Sequence, residues 1–184
     1  MKWFFKCLKQ YADFSGRARR SEFWWFTVIN FIISIALFIG WIIPIITIAL
    51  NAGFNESEYY EDEWVIVRTV LGSPFLWIFI IYQLAVLIPT IAVTVRRLHD
   101  IGKSGFWYFL FIGPSLLMNY LSMISQANPD TNMLIYVSLL LPSLAIFIIY
   151  LVWMFTNSDY GPNQYGPNPK GEGNPTEEQT TLTE

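Results

Sequence analysis

The stretch FWWFTVINFIISIALFIGWIIPIITIAL, residues 23–50, contains no charged side chain and decides the fold class. It exceeds the roughly 20 apolar residues that a helix needs to cross about 30 Å of hydrocarbon. Because it is apolar on every face, such a helix needs apolar surroundings all round. A secretory signal peptide has a shorter apolar region, of about 7–15 residues, followed by a small-residue cleavage site. We therefore expect this stretch to remain as an uncleaved membrane anchor.

Three further stretches also lack Asp, Glu, Lys and Arg, and each is longer than about 20 residues. They lie between Arg68 and Arg96, between Lys103 and Asp130, and between Asp130 and Asp159. We therefore place membrane-spanning helices at about residues 23–50, 71–95, 106–125 and 133–156. The prolines inside these spans predict kinks at Pro44, Pro89, Pro114 and Pro142. The sequence thus predicts an all-α membrane protein, a four-helix transmembrane bundle.

The composition of the whole chain agrees with this architecture. Of its 184 residues, 54% are hydrophobic and 14% are charged, whereas an ordinary soluble domain carries about 25% charged residues. The formal net charge of −3 argues against a nucleic-acid-binding protein. One Cys and one His leave no material for an intramolecular disulfide or a Cys/His zinc site. We therefore expect neither a metal nor another cofactor.

Lys and Arg residues are distributed unequally between the loops, and this asymmetry predicts the orientation in the membrane. Six of them precede the first span, three lie between the second and third spans, and one lies after the fourth. The two opposite loops contain only Arg68, together with an acidic run at residues 56–63 that we interpret as solvated surface rather than a calcium site. The sequence therefore predicts that both termini are cytoplasmic.

The N-terminal residues 1–14 are predicted to form an amphipathic helix that lies along the membrane surface. Its polar side chains are spaced by four, three and four residues and share one face: Lys2, Lys6, Lys9 and Asp13. Aromatic and apolar side chains occupy the rest of the circumference. A basic face beside an aromatic one suits the membrane interface, with the lysines near anionic headgroups. The alternative is a helix that simply packs under the bundle.

The segment after the last span contains a five-residue repeat, YGPNQ at residues 160–164 and YGPNP at residues 165–169. Pro and Gly disfavour a helix there, so turns are expected. From residue 170 onward the sequence is polar and acidic without an aromatic residue, which predicts disorder. We therefore expect a single membrane domain at residues 1–169 and a disordered acidic tail at residues 170–184.

The turn between the second and third spans, RRLHDIGKSG beginning at Arg96, is the most polar stretch near the bilayer. The i, i+4 spacing of Arg96 and Asp100 predicts a local ion pair. The i, i+3 spacing of Arg19 and Glu22 predicts a similar pair where the first span begins. His99 beside Asp100 invites a general-base interpretation. Since neighbours on a helix point about 100° apart, we favour a structural role for His99.

The predicted spans contain no Asp, Glu, Lys, Arg or His, which argues against a proton-coupled transporter. Uncharged polar residues do occur within them, at Asn30, Gln83, Thr90, Thr94 and Asn119. Hydrogen bonds between helices are the expected role of these residues. The alternative is that they line a route for a small solute.

Three motifs on the predicted cytoplasmic side carry a family resemblance. They are F-x-G-R-A-x-R-x-E-F-W, R-R-L-H-D-x-G-x-S-G-x-W and N-x-Y-G-x-N-P, at residues 14–24, 96–107 and 163–169. Over residues 1–169 the chain resembles bacterial inner-membrane proteins of the YhaH/YhaI type, domain of unknown function 805. The resemblance implies a helical bundle in the bacterial cytoplasmic membrane and supplies no activity, cofactor or catalytic residue. Two departures are Phe106, where a Trp is expected, and the long acidic outer loop.

The polar motifs gather on one predicted side of the bilayer, which favours a non-enzymatic membrane module that binds anionic lipid headgroups or a partner protein. The candidate binding residues on that cytoplasmic face are Arg17, Arg20, Glu22, Arg96, Arg97, His99, Asp100, Lys103 and Tyr165. The basic members would contact the ligand, while the acidic members hold the arginines and the tyrosine folds the tail over them. The alternatives are a small-solute transporter or channel component, and an enzyme acting on a lipid through His99 and Asp100. The lipid bilayer is the expected partner in each case, and the sequence is compatible with a homo-oligomer.

Overall fold

The computed structural model describes residues 2–54, 64–127 and 133–175, and every regular element within these ranges is a helix. The helices are α1 (Lys2–Lys9), α2 (Arg20–Phe54), α3 (Val65–Gly72), α4 (Pro74–Asp100), α5 (Trp107–Ala127) and α6 (Met133–Phe155). Those long and apolar enough to cross a membrane are Arg20–Leu50, Pro74–Asp100 and Trp107–Ile124, and a shorter apolar segment is Leu140–Phe155. The expectation of an all-α membrane protein is confirmed at this level.

The N-terminal helix is shorter than the sequence predicts. A helix is expected over residues 1–14, but α1 ends at Lys9. The division into two faces is present, because Lys9 is exposed and Cys7 is fully buried. The ring of Phe4 stacks on that of Phe26 in α2, with a centroid separation of 5.5 Å. The apolar face of α1 therefore packs against the bundle.

Two side-chain hydrogen bonds connect α2 and α4, which run antiparallel. The Tyr82 hydroxyl donates to Asn30 Oδ1 at 2.5 Å, and Gln83 Nε2 donates to Ser34 Oγ at 2.8 Å. These contacts confirm the expected interhelical role of Asn30 and Gln83. The other three polar residues named above donate to a carbonyl four residues back in their own helix: Thr90, Thr94 and Asn119. Thr94 is also hydrogen-bonded to Tyr150 of α6, as expected of an interhelical contact.

The second long helix begins later than the sequence predicts. A span is expected over residues 71–95, but Ser73 has an extended backbone with ψ of 118°, and α4 begins at Pro74. A proline ring clashes with helical geometry in the residue before it, while proline itself suits the first turn of a helix. The chain is therefore divided into α3 and α4 at this point, and α4 continues beyond the expected end to Asp100.

Aromatic side chains hold α5 and α6 together as a second antiparallel pair. The ring of Phe111 packs edge-on against Tyr150 and Trp153, at centroid distances of 4.8 and 5.6 Å. Trp107 packs edge-on against Trp153 at 5.2 Å. Edge-to-face pairs of this kind stabilise a contact beyond the apolar area that they bury. These rings lie near the beginning of α5 and the end of α6.

The buried apolar core lies at that same end of the molecule. It contains Cys7, Ala18, Phe23, Phe26, Val93, Leu98 and Met154. Farther along the helices, large apolar side chains are exposed, as in Ile81 at 65% and Leu141 at 66%. Exposed apolar side chains all along a helix are typical of a surface covered by lipid.

The chain after α6 folds back onto the end of the bundle, and we call residues 157–175 the tail loop. It is rich in turns, as the sequence predicts, with an isolated bridge between Asn163 and Gly166. Asn174 Nδ2 donates to the Asn168 carbonyl at 2.9 Å, so the hydrogen bonds of the tail loop extend to residue 174. The acidic run and the end of the chain lie outside the described residues, at 55–63 and 176–184.

Candidate functional site

The three sequence motifs meet at one end of the bundle. The first lies between α1 and the start of α2, the second spans the end of α4 and the turn into α5, and the third lies in the tail loop. Backbone hydrogen bonds connect them, because Ala18 N donates to the Arg96 carbonyl at 3.0 Å and Asp159 N to the Asp100 carbonyl at 2.9 Å. Their buried charged side chains form the group that we call the ion-pair cluster: Arg17, Glu22, Arg96, Arg97 and Asp100.

The Asp100 carboxylate lies between two arginines of the cluster. It accepts a hydrogen bond from Arg17 Nε at 3.0 Å and another from Arg97 Nη1, while Ser158 Oγ donates to it at 2.5 Å. All three charged side chains are at most 1% exposed, and charges removed from water are tolerated when they are paired and hydrogen-bonded. The predicted pair between Arg96 and Asp100 is wrong. The Asp100 carboxylate instead accepts hydrogen bonds from Arg97 and from Arg17, which belongs to a different motif.

Arginines also bind the C-terminal end of α6. The Arg97 guanidinium donates to three backbone carbonyls there, those of Trp153, Met154 and Thr156. Arg20 Nη1 donates to the Phe155 carbonyl at 3.0 Å. The last carbonyls of a helix lack intrahelical partners and carry partial negative charge, so cations stabilise that end. Residues of α2 and α4 thereby hold the end of α6 in place.

Glu22 forms the second part of the cluster. It is fully buried, accepts a hydrogen bond from Lys6 Nζ at 2.8 Å and lies 3.7 Å from Arg96 Nη1. Arg96 Nη1 also donates to Gln10 Oε1. The predicted pair between Arg19 and Glu22 is wrong, because α1 and α4 bring other cations to this carboxylate. Arg19 donates instead to a backbone carbonyl of the tail loop at 2.7 Å.

His99 and Asp100 have separate partners. His99 Nδ1 lies 3.2 Å from the Gly16 carbonyl oxygen. The imidazole stacks on the Tyr165 ring, with centroids 3.8 Å apart and an angle of 3° between the planes. The Asp100 carboxylate, by contrast, contacts the two arginines. The arrangement therefore lacks the contact that a His–Asp catalytic pair requires.

The tail loop provides polar groups that sequence reasoning missed. Arg17 Nη1 donates to the Gly161 carbonyl and Arg17 Nη2 to the Asp159 carbonyl, both at 2.7 Å. Asn163 Nδ2 donates to the His99 carbonyl at 2.9 Å. The repeated Gly-Pro-Asn pattern indicates that this segment turns, but nothing local indicates that it closes over Arg17. The tail loop is therefore a structural part of the site.

A second set of cations lies at the surface next to the cluster. Lys2 Nζ, Lys6 Nζ and Arg19 Cζ lie 5.3, 5.5 and 5.8 Å from the centroid of the same indole ring, that of Trp3. Lys2 and Lys9 are exposed. Cations within about 6 Å of an indole are attracted to its ring face. The polar face of α1 thus presents positive charge around one aromatic side chain.

The candidate binding residues divide into two groups. The ion-pair cluster is buried, and its guanidinium groups are directed toward protein partners. The residues outside it are half-buried or exposed: Arg20, His99, Lys103 and Tyr165. Lys103 Nζ lies 5.4 Å from the ring centroid of Trp153. The structure therefore brings the whole set to one end of the bundle but leaves few of its cations accessible.

Cys7 lies beside the cluster in the apolar core. Burial, assisted by the nearby Glu22 carboxylate, raises the pKa of the Cys7 thiol to about 11. The thiol is therefore neutral at pH 7 and packs as a small apolar group. Within the part of the chain that the structure describes, no group of three or more His, Cys, Asp and Glu residues is placed to hold a metal ion.

These features define a helical membrane protein whose polar motifs are packed together at one end of the bundle. The chain belongs to the DUF805 family, described as a protein of unknown function, whose model matches residues 11–167. This match confirms the family resemblance carried by the three motifs.

Several proteins similar to this chain carry names that place them in the inner membrane of Escherichia coli. The chain is 29% identical over 170 residues to "Inner membrane protein YhaI" of Escherichia coli (strain K12), which covers 92% of this chain and 97% of the relative. It is 33% identical over 119 residues to "Inner membrane protein YhaH" of the same organism, covering 62% and 75%. No solved structure matches the chain. The sequence relationship thus supports placement in an inner membrane and assigns no activity.

Proposed function

We propose that this chain is a four-span, non-enzymatic protein of the bacterial cytoplasmic membrane, with both termini in the cytoplasm, that binds anionic lipid headgroups. In this proposal the ion-pair cluster is structural and joins the helix ends to the tail loop. The ligand contacts are the surface cations of α1 together with Arg19, Arg20 and Lys103. The membrane domain then includes the tail loop rather than ending at residue 169.

The path of the long helices supports an even number of crossings. α2 begins at the ion-pair cluster, α4 ends there, α5 begins at the adjoining turn, and the end of α6 is bound by Arg97. With 23 residues, α6 is long enough to span the hydrocarbon core. Each hairpin would therefore leave and return to the same membrane face. Lys and Arg are concentrated in the segments on that face, and such segments are normally cytoplasmic.

The observation that carries the lipid proposal is the arrangement of cations around Trp3. Tryptophan favours the membrane interface, so Lys2, Lys6 and Arg19 would lie at the level of the headgroups. Each basic residue near an anionic membrane surface contributes about 1 kcal/mol of attraction. The burial of Arg17, by contrast, removes it from the set of ligand contacts. The polar face of α1 is therefore more exposed than the basic side chains of the ion-pair cluster.

The two alternative functions have less support. A solute route would need polar groups facing a pathway, whereas Asn30 and Gln83 are engaged between α2 and α4. A lipid-modifying enzyme would need His99 and Asp100 to act together, and their separate partners argue against that. Lipid binding without a chemical reaction requires only basic side chains at the surface.

The proposal is tested with the full chain in mild detergent by replacing Lys2 and Lys9 with glutamine. Thermal unfolding is measured at low ionic strength with added phosphatidylglycerol or phosphatidylcholine. A ligand that binds the folded state raises the unfolding temperature, so wild type should respond more strongly to phosphatidylglycerol. Removing two surface cations should weaken that preference by about 2 kcal/mol, or roughly 30-fold in affinity.

Lys170→Gln is the matched control, because Lys170 is an exposed lysine in the tail loop, 3.9 Å from Glu172. It should keep the wild-type response to both lipids. The side chains of Lys2 and Lys9 point to solvent, so their replacement should leave the fold intact. An equal response of wild type and the double variant to phosphatidylglycerol would contradict the proposal.

A further inference from the structure

A partly open cavity lies between α4, α5 and α6, separate from the surface of α1. Its volume is about 260 Å³. This is close to the lower end of the range of roughly 300–1,000 Å³ that is usual for small-ligand sites. The side chains that matter for its chemistry are Thr90, Thr94, Tyr108, Phe111, Ser143 and Tyr150. The cavity thus combines hydroxyl groups with aromatic rings inside the helical bundle.

The polarity around the cavity changes along the helices. Lys103 is exposed at the end near the ion-pair cluster, with its Nζ 5.4 Å from the Trp153 ring centroid. Phe111 connects this level to the cavity, because it contacts both Trp153 and Tyr150. At 1.5 Å per residue, Tyr150 lies about 4.5 Å deeper along α6 than Trp153, and Ser143 about 10 Å deeper again. The order from the surface inward is a cation, an indole, a phenol and then a mainly apolar wall that includes Ser143.

Hydroxyl groups are concentrated at the middle level. The Thr94 hydroxyl donates to the Thr90 carbonyl at 2.7 Å and is also hydrogen-bonded to the Tyr150 phenol. The Tyr108 phenol lines the same cavity and can donate to a carbonyl oxygen. A ligand with an ester carbonyl at this depth would find a hydrogen-bond donor in Tyr108, in largely apolar surroundings.

The cavity is open on the side of the bundle. Phe147 on its rim is 54% exposed and lies eight residues before the end of α6. At about 12 Å from the helix end, this position lies at the depth of lipid tails. A ligand would therefore enter from the membrane leaflet, and a phospholipid carries phosphate, ester and acyl chain in the order that the cavity offers their partners.

We propose that this cavity holds the part of one acyl chain nearest the ester, from an anionic phospholipid of the cytoplasmic leaflet. Its phosphate lies near Lys103, and an ester carbonyl accepts a hydrogen bond from Tyr108. This inference rests on the proposed function, since it takes anionic lipid as the ligand and the cluster end as the cytoplasmic one. It deepens that function by assigning a one-lipid site that differs from the basic surface of α1.

Native mass spectrometry of the full chain with added phosphatidylglycerol tests the site. Wild type should retain one lipid after the detergent is removed. Ser143→Phe fills the cavity and should lower the retained fraction at least tenfold. Ser115→Phe is the matched control, because Ser115 is exposed on α5 and does not line the cavity, and it should retain the lipid like wild type. Equal retention in Ser143→Phe and Ser115→Phe would overturn the site.

The hydroxyl and charge assignments are tested separately with variants that change little volume. Tyr108→Phe should lower retention of phosphatidylglycerol and phosphatidylcholine alike, whereas Tyr120→Phe, on an exposed tyrosine of α5, should lower neither. Lys103→Gln should lower retention of phosphatidylglycerol only. These variants also test the site if the larger Ser143→Phe substitution prevents folding. Wild-type retention of both lipids in all of them would overturn it.

The same samples separate this inference from the proposed function. If replacing Lys2 and Lys9 removes the thermal response to phosphatidylglycerol while Ser143→Phe still retains one lipid, the surface of α1 binds lipid and the cavity proposal is wrong. If Ser143→Phe loses the lipid while the lysine variant responds like wild type, the cavity proposal is supported and the role of α1 is wrong.

Discussion

The Asp100 carboxylate accepts hydrogen bonds from Arg17, 83 residues earlier in the chain, and from Arg97, three residues earlier. With Asp100 present, both arginines have a partner of opposite charge away from water. Without it, two guanidinium groups would remain buried with backbone carbonyls as their partners. Removing one partner of a buried ion pair costs about 3–5 kcal/mol. The importance of Asp100 to the fold is therefore larger than its single charge suggests.

Asp100→Ala is expected to lower the free energy of unfolding by about 3–5 kcal/mol. The measurement is denaturant or thermal unfolding of the full chain in detergent. Asp159→Ala is the control, because the exposed Asp159 side chain contributes little while its backbone makes the contacts with the cluster. Equal stability of the two variants would contradict the role of Asp100.

Cys7 is expected to be almost inert toward maleimide in the folded protein. A pKa of about 11 lowers the fraction of reactive thiolate at pH 8 about a hundredfold relative to an ordinary thiol near pKa 9. The labelling rate should rise as the pH increases toward 11, because a raised pKa keeps the thiol protonated below it. The comparison is a cysteine introduced at the exposed Lys170 in a Cys7→Ala background. Similar labelling rates at pH 8 would show that Cys7 is not buried as described.

At the level of helices, stretches without charged residues predict helix positions well, because few residue types are tolerated inside a membrane span. Helices α2, α4, α5 and α6 agree with the four expected segments to within a few residues at most ends, and three of them contain stretches long and apolar enough to cross a membrane. The interruption at Ser73 was missed because apolar composition dominates over a single proline in that window. The Arg96–Asp100 pair was mispredicted because i, i+4 spacing describes an isolated helix. A nearer partner from elsewhere in the chain overrides that spacing.

Gly40 allows α2 and α4 to approach closely. A Cβ at Gly40 would lie 2.6 Å from Phe75 Cδ1, so Gly40→Leu forces the helices apart or displaces the ring. Overpacking of this kind costs about 1–3 kcal/mol. Gly113→Leu in α5 is the control, because no heavy atom lies within 4 Å of a Cβ there. Thermal unfolding should show a loss of stability in Gly40→Leu only. Equal losses in both variants would argue against the close contact.

The stacking of Tyr165 on His99 holds the tail loop against α4. Tyr165→Ala should weaken this attachment by about 1 kcal/mol, since aromatic pairs contribute about 0.5–1.5 kcal/mol. Trypsin cleavage after Lys170, followed by mass spectrometry, should then become about five times faster. Tyr165→Phe keeps the ring and should be cleaved like wild type. If the Ala variant is cleaved no faster than the Phe variant, the stacking does not hold the tail.

At the scale of the whole molecule, two antiparallel helix pairs are joined at the end where the ion-pair cluster lies. The packing of the two pairs against each other depends on contacts between segments that are distant in sequence. One example is the hydrogen bond from Arg17 to the Gly161 carbonyl, 144 residues away. Local spacing carries no information about such contacts, so the sequence indicated the candidate residues but not that most of their charges are buried. The basic surface that remains, around Trp3, became apparent only when the buried arginines were accounted for.

Both proposed lipid sites require the cluster end of the bundle to face the cytoplasm. Single cysteines introduced by Ser104→Cys and Ser57→Cys, each in a Cys7→Ala background, are treated with a membrane-impermeant maleimide in bacterial spheroplasts. We expect the Ser57→Cys protein to be labelled in intact spheroplasts and the Ser104→Cys protein only after the membrane is disrupted. Labelling of Ser104→Cys in intact spheroplasts would contradict the orientation and the assignment of the basic surface to the cytoplasmic leaflet.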